Sequence, residues 1–175
     1  MRLVPDSSLS GVLLTVLVVL AGPGPARSQS QATVVYLVRH AEKVDDSRDP
    51  LLSEAGRERA ALLADMLRDA GLTHVHSTDL ERTRYTAAPV AMRAGLEVRF
   101  YDPENLEGFA DKLRTTPGRH LVSGHSDTTP KLVRLLGGES SDIADPEYDR
   151  LYVLTLAPDG ATSTVLIRFG ASSGL

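Results

Sequence analysis

Ala32-Thr33-Val34-Val35-Tyr36-Leu37-Val38 runs directly into Arg39-His40-Ala41-Glu42. The seven residues are β-branched or apolar and lack clean polar alternation, the pattern of a strand covered on both faces. The step to Arg39-His40 then sets two chemically active side chains at its carboxyl end. Downstream, the polar stretch 43–50 reads as a loop. Ser53 is placed to cap a helix running to about Ala70, with Gly71 as its stop. Leu72 to Ser77 reads as a second strand, and Leu80 to Arg93 as a helix that Pro89 should kink or break. Glu97–Tyr101 and Arg119–Ser123 read as strands around a helix over Glu104–Arg114. Thr129–Leu136 follows as a helix with Pro130 in its first turn. Leu151–Leu156 and Thr162–Phe169 close as strands joined by Pro158-Asp159-Gly160. Such alternation predicts an α/β three-layer sandwich, a mostly parallel central sheet with helices on both faces. A site then belongs at the carboxyl ends of the strands.

The composition fits one such domain. The chain has 175 residues, 42% hydrophobic and 24% charged, with no Cys. It is too apolar for disorder and too polar for a multi-span membrane protein. Without Cys, disulfide scaffolds, thiolate metal sites and Cys nucleophiles are excluded. With Lys+Arg 19 against Asp+Glu 23, the chain lacks the basic excess of a nucleic-acid binder.

The amino-terminal segment stands apart. Leu9 to Ala21 is apolar or small except for Ser10 and Thr15, and it is shorter than the roughly 20 residues a bilayer span needs. Arg2 before it and Gly22-Pro23-Gly24-Pro25 after it fit a secretory signal. Ala26-Arg27-Ser28 supplies small residues for a cut before Gln29. The expectation is a signal peptide over 1–28, one domain over 29–175, and export to the periplasm or extracellular space without stable membrane association after processing. Removing Arg2, Arg27 and Asp6 leaves 17 basic against 22 acidic residues (19 less two, 23 less one), a net charge of -5.

Three motifs fall at the ends of expected strands: Val38-Arg39-His40-Ala41-Glu42, Ser77-Thr78-Asp79-Leu80-Glu81-Arg82-Thr83 and Ser123-Gly124-His125-Ser126. A parallel sheet would bring them to one edge, so two His and two Arg would share a pocket. Guanidinium groups present forked, permanently charged donors that match phosphate oxygens. Neutral imidazole is a competent nucleophile toward phosphorus. Phosphoryl transfer needs mainly positioning and charge stabilisation, which this set can supply without metal.

Taken together, these residues resemble the histidine phosphatases of the phosphoglycerate-mutase-like superfamily, in a small single-domain form, from Val34 to about Tyr152. Arg39-His40 matches the Arg-His-Gly signature with Ala41 in place of Gly. Asp49 to Gly56, Ser77 to Thr83 and Gly124-His125-Ser126 match further segments, and Thr128 to Leu132 continues in the same manner. The resemblance implies a phosphatase acting on a small phosphorylated substrate or phosphoprotein, with no metal or cofactor. His40 would become phosphorylated, Arg39 and Arg82 would clamp the phosphate oxygens, and His125 would hydrogen-bond them across the site. Water would then hydrolyse the phosphohistidine.

The general acid stays open between Glu104, Glu107 and Asp127, each of which also suits the start of a helix. A phosphoramidate substrate would have less need of one. A phosphomutase, or a non-catalytic module binding phosphorylated ligands or proteins, are the rival readings. His74 and His76, two apart on a strand, read as surface residues rather than a metal pair, and His120 as a residue at a strand edge. Glu42-Lys43 and the run Asp45–Asp49 form a charged loop close to the expected site, read as solvated, with lining of the pocket mouth as the alternative. Gly137-Gly138-Glu139-Ser140-Ser141 lacks the following Lys-Ser/Thr of a phosphate-binding P-loop.

Overall fold

The computed structural model describes residues 32–172, so the expected signal segment and its cleavage point lie outside the described residues. Strands and helices alternate as β1 (Thr33–Arg39), α1 (Glu54–Met66), β2 (His74–Ser77), α2 (Glu81–Ala94), β3 (Val98–Phe100), α3 (Leu106–Thr115), β4 (Arg119–Gly124), α4 (Thr128–Leu135), β5 (Arg150–Leu156) and β6 (Thr162–Arg168). They build one six-stranded sheet in the order β3-β2-β4-β1-β5-β6. The first four are mutually parallel. The last two run antiparallel, β5 against β1 and β6 against β5. The sheet is therefore mixed, parallel through the half that carries the three motifs.

Both faces are covered, which is why β1 shows no polar alternation. Val35 and Leu37 pack with Phe109 and Leu113 of α3 and Leu132 and Val133 of α4. Val38 points the other way, among Leu63 and Ala64 of α1 and Val90 and Ala91 of α2. Each fully buried Leu or Val of this kind stabilises the fold by about 1.5–3 kcal/mol.

The helix ends follow local chemistry. The Ser53 hydroxyl accepts from Gly56 N–H at 3.1 Å, and Asn105 does the same for Gly108 at the head of α3. The first turn of α2 is capped from outside: Asp49, in the charged loop, accepts from Glu81 N–H at 2.8 Å. The first helix stops at Met66 rather than Ala70, and the chain turns at Gly71 with φ +63°. The expected break at Pro89 is absent, since α2 continues through it to Ala94. Val90 and Ala91 on its buried face hold the helix together across the rung that proline cannot make.

Gly56 has a stricter role than helix entry. A Cβ there would lie 2.1 Å from the Glu42 carbonyl oxygen, which the Ser53 N–H also binds. Gly56→Ala must push α1 away from the loop after β1. The expected loss is about 1–3 kcal/mol, read as a fall in Tm of roughly 2–4 °C per kcal/mol by calorimetry.

His74 is partly exposed, as expected of a strand surface, but His76 and His120 depart from the surface and edge placement expected of them. His120 lies within β4, an interior strand, and both it and His76 are buried, covered by α3. The three rings stack, with centroids 4.4 Å apart for His74 and His120 and 5.4 Å for His76 and His120. His120 Nε2–H donates to the Thr116 carbonyl, so its Nδ1 accepts from His76 Nε2–H at 3.1 Å. Alternation alone did not show this, because both faces of the sheet are covered. Among the described residues, no group of three or more His, Asp or Glu is placed to hold a metal.

Burial holds the His76 imidazole down to about 3 and that of His120 down to about 4. Both stay neutral in the folded chain but take up protons below about 6.5 once unfolded. The unfolded state thus binds more protons as pH drops, so stability falls from pH 6.5 toward pH 3–4. Scanning calorimetry should show Tm dropping by several degrees between pH 7 and pH 4.5, with a shallower slope in His76→Gln.

Candidate active site

The parallel register decides which residues meet. Arg39 pairs with Gly124 across β1 and β4, and Ser77 pairs with Ser123 across β2 and β4. The next residue along each strand, His40, Thr78 and His125, therefore emerges at one edge. His40 N–H donates to the Gly124 carbonyl at 2.8 Å, holding two of these ends together. Arg82 arrives from the first turn of α2. All four expected residues, Arg39, His40, Arg82 and His125, line one cavity of about 730 Å³.

His40 and His125 face each other edge to face, with ring centroids 5.5 Å apart. His40 Nδ1 lies 2.8 Å from the Ala41 carbonyl, which can only accept, so Nδ1 carries the proton and Nε2 the lone pair. Burial holds this imidazole down to about 3, opposed by the Ala41 carbonyl and helped by the charges of Arg39 and Arg82. His125 is held down to about 4, again by burial first and then by Arg82, with Asp127 pulling the other way. Both rings are neutral at neutral pH, and His40 presents an unprotonated nitrogen.

The two arginines are held differently. Arg39 Nη1 donates to the carbonyls of Ala144, Asp145 and Glu147 at 2.9, 2.5 and 3.1 Å, and Nη2 to the Asp145 carboxylate at 3.2 Å. Its guanidinium lies 4.2 Å from the Tyr148 ring centre, while Nε is buried with no hydrogen-bond partner among the described residues. Arg39 thus anchors the 144–148 loop over the cavity as well as lining it, a role its position after β1 did not reveal. Arg82 is held loosely, by the Arg48 carbonyl at 3.3 Å and the Asp49 carboxylate at 3.8 Å. The stretch Asp45–Asp49 is exposed, as a solvated loop would be, and touches the cavity wall through Ser47, beside Lys43 and Pro50.

The three candidate acids separate. Glu104 and Asp127 line the cavity, whereas Glu107 does not and pairs with Lys131 at 3.3 Å. Asp127 also accepts from Thr128 N–H at the head of α4. Asp145 is a third carboxylate on the cavity wall, contributed by a loop that carries no motif. Ala41 N–H is spent on the Thr86 hydroxyl at 2.9 Å, so its amide is committed to α2. Arg59 ties this region to the chain end, donating to both Glu42 oxygens and to the carbonyls of Phe169 and Ala171. A second cavity of about 560 Å³ lies between α1 and α2, walled by Leu51, Leu52, Tyr85, Pro89 and Met92. Among the described residues its lining holds no imidazole or carboxylate, and Arg57 is its one charged group.

Comparison with known proteins agrees with this fold and with the family resemblance. The sequence profile of the histidine phosphatase superfamily (branch 1) matches residues 35–104. The Salmonella paratyphi A protein named "Probable phosphoglycerate mutase GpmB" is 30% identical over 159 residues, covering 80% of this chain and 71% of that protein. Among solved structures, the protein histidine phosphatase SixA complexed with tungstate superposes with a TM-score of 0.65 at 18% identity, over 77% of this chain and 96% of that one. A mycobacterial glucosyl-3-phosphoglycerate phosphatase superposes at 0.60 with 16% identity, over 81% of this chain and all of that one. At such identities the two structures attest the shared fold.

Proposed function

Because the chain belongs to the histidine phosphatase superfamily, we propose that it is a metal-independent phosphatase acting through a phosphohistidine at His40. The observation that carries this is the His40 ring. Its Nδ1–H is tied to Ala41, which leaves the Nε2 lone pair for the cavity it shares with Arg39, Arg82 and His125. In the proposed reaction Nε2 attacks phosphorus and the bond to the leaving group breaks, with its electron pair departing on the leaving atom. Arg82, Arg39 and His125 hold the phosphoryl oxygens as charge moves across them. Glu104 or Asp127, the two candidate acids that line the cavity, would give that atom its proton. Water then attacks the phosphorus, the P–N bond breaks, and inorganic phosphate leaves with His40 restored. A phosphomonoester or a phosphoramidate would serve as substrate, on a small molecule or on a protein. The SixA neighbour, which shares the fold, was solved in complex with tungstate, a tetrahedral oxyanion like phosphate.

A mutase is the second reading, suggested by the name of the Salmonella relative. A mutase must shield its phosphohistidine from water while the sugar acid turns over. Here the cavity is walled by short connections: residues 40–53 after β1, 101–105 after β3, 125–127 after β4 and the 136–149 segment that carries Asp145. The lack of a longer insertion over it among the described residues favours hydrolysis. We further propose that residues 1–28 direct export and are removed before Gln29; mass measurement of the exported protein tests this.

The activity test is release of inorganic phosphate from an aryl phosphate in the presence of EDTA. The phosphatase reading expects turnover that EDTA leaves unchanged. Loss of activity on chelation would contradict the metal-free mechanism, and transfer of the phosphoryl group to a second phosphoglycerate without release would favour the mutase.

A further inference from the structure

Behind His125 stands a line of hydroxyl groups that the four-residue site does not include. His125 Nε2 lies 2.9 Å from the Thr78 hydroxyl, which lies 2.8 Å from the Thr83 hydroxyl. The Thr83 hydroxyl in turn reaches the Leu80 carbonyl at 2.8 Å and the Thr78 carbonyl at 3.1 Å. Both threonines are buried. Counting protons orients the whole line. Carbonyls only accept, so the single Thr83 proton points at Leu80 and Thr78, and the Thr83 oxygen must accept from Thr78. Thr78 has then spent its own proton, and its remaining lone pair can only accept from His125 Nε2–H.

We propose that Thr78, backed by Thr83, is a positioning residue that fixes the proton of neutral His125 on Nε2 and so delivers Nδ1 to the phosphate. Among the described residues Nδ1 has no hydrogen-bond partner, and the ring lines the cavity. The charged or titratable groups facing it are Arg39 and His40 at the end of β1, Arg82 on α2 and Asp127 at the head of α4. An unprotonated Nδ1 cannot donate to a phosphate oxygen. It can take the proton of a bound monoanion: the O–H bond breaks, an N–H bond forms, and a phosphate dianion is left facing an imidazolium. That imidazolium is held at both ends, by Thr78 on Nε2 and by the phosphate on Nδ1, and it adds a positive charge only when the ligand is present. With the opposite tautomer or a flipped ring, the buried Thr78 oxygen would lose its donor, the kind of unpaired polar group that folded proteins avoid.

The role of Nδ1 at the phosphate rests on the phosphatase reading, so the test uses readouts that need no turnover. Long-range nitrogen–proton spectra of the protein labelled with nitrogen-15 at histidine report which ring nitrogen of His125 is protonated, and inorganic phosphate serves as the probe. The expected spectrum at pH 7 shows His125 as the Nε2–H form, with Nδ1 gaining a proton as phosphate binds. Thr78→Val should populate the Nδ1–H form and weaken phosphate binding about tenfold, while Thr78→Ser should restore both. A His125 that carries its proton on Nδ1 in the unsubstituted protein would overturn the proposal without any variant. So would a Thr78→Val protein with unchanged tautomer and unchanged phosphate affinity. A protein that shows the expected tautomer and phosphate uptake but hydrolyses no ester would overturn the phosphatase reading and support the positioning role.

Discussion

His40→Asn is expected to lower kcat toward an aryl phosphate by on the order of 10⁴-fold or more, the scale of loss when a catalytic nucleophile is removed. Asparagine keeps a polar group of similar reach but has no ring nitrogen able to form a P–N bond. The His40 backbone N–H still donates to Gly124, and the strands on either side are unchanged. The variant should therefore fold, show a Tm within a few degrees of the original, and still bind inorganic phosphate through Arg82, Arg39 and His125. A variant with that Tm and undiminished turnover would remove His40 from the reaction.

The second large effect is expected at Arg82. Its guanidinium lines the cavity, held only by the Arg48 carbonyl and the distant Asp49 carboxylate, so it can turn its forked donors to a ligand. Arg82→Ala removes a permanent positive charge from the cavity wall and should lower kcat/KM by about 10²–10³-fold. Arg82→Lys should recover only part of this, because an ammonium cannot grip two oxygens at once. The same substitution at Arg39 would mix two effects, since that side chain also holds three carbonyls of the 144–147 loop. Arg82 is therefore the cleaner measure of electrostatic stabilisation. Steady-state kinetics of Arg82→Ala indistinguishable from the unsubstituted protein would place it outside the site.

What was legible beforehand is tied to local signals. The apolar run before Arg39 announced a strand with two covered faces, Ser53 announced a helix start, and the three motifs each fell where a strand stops. Parallel pairing of β1, β4 and β2 was enough to bring His40, His125 and Arg82 together. The direction of β5 was not legible, because an apolar strand carries no mark of which neighbour it will join. Asp145 and Tyr148 were missed for a related reason. They reach Arg39 from more than 100 residues away, on a loop whose composition is ordinary. Burial of His76 and His120 was hidden because a histidine on a two-faced sheet looks the same in sequence whether α3 covers it or not. Thr78 lay inside a recognised motif, yet its role depends on hydrogen-bond direction, which only the positions of Thr83, Leu80 and His125 define.

The central claim is that phosphate passes through His40. The direct measurement is to mix the protein with aryl phosphate labelled with phosphorus-32, quench in alkali within the first turnover, and map the label by mass spectrometry under non-acidic conditions. The account predicts a phosphoryl group on Nε2 of His40, stable to alkali, lost in acid, and missing from His40→Asn. Phosphate released in that first turnover with no label on His40, or with label on another residue, would contradict it.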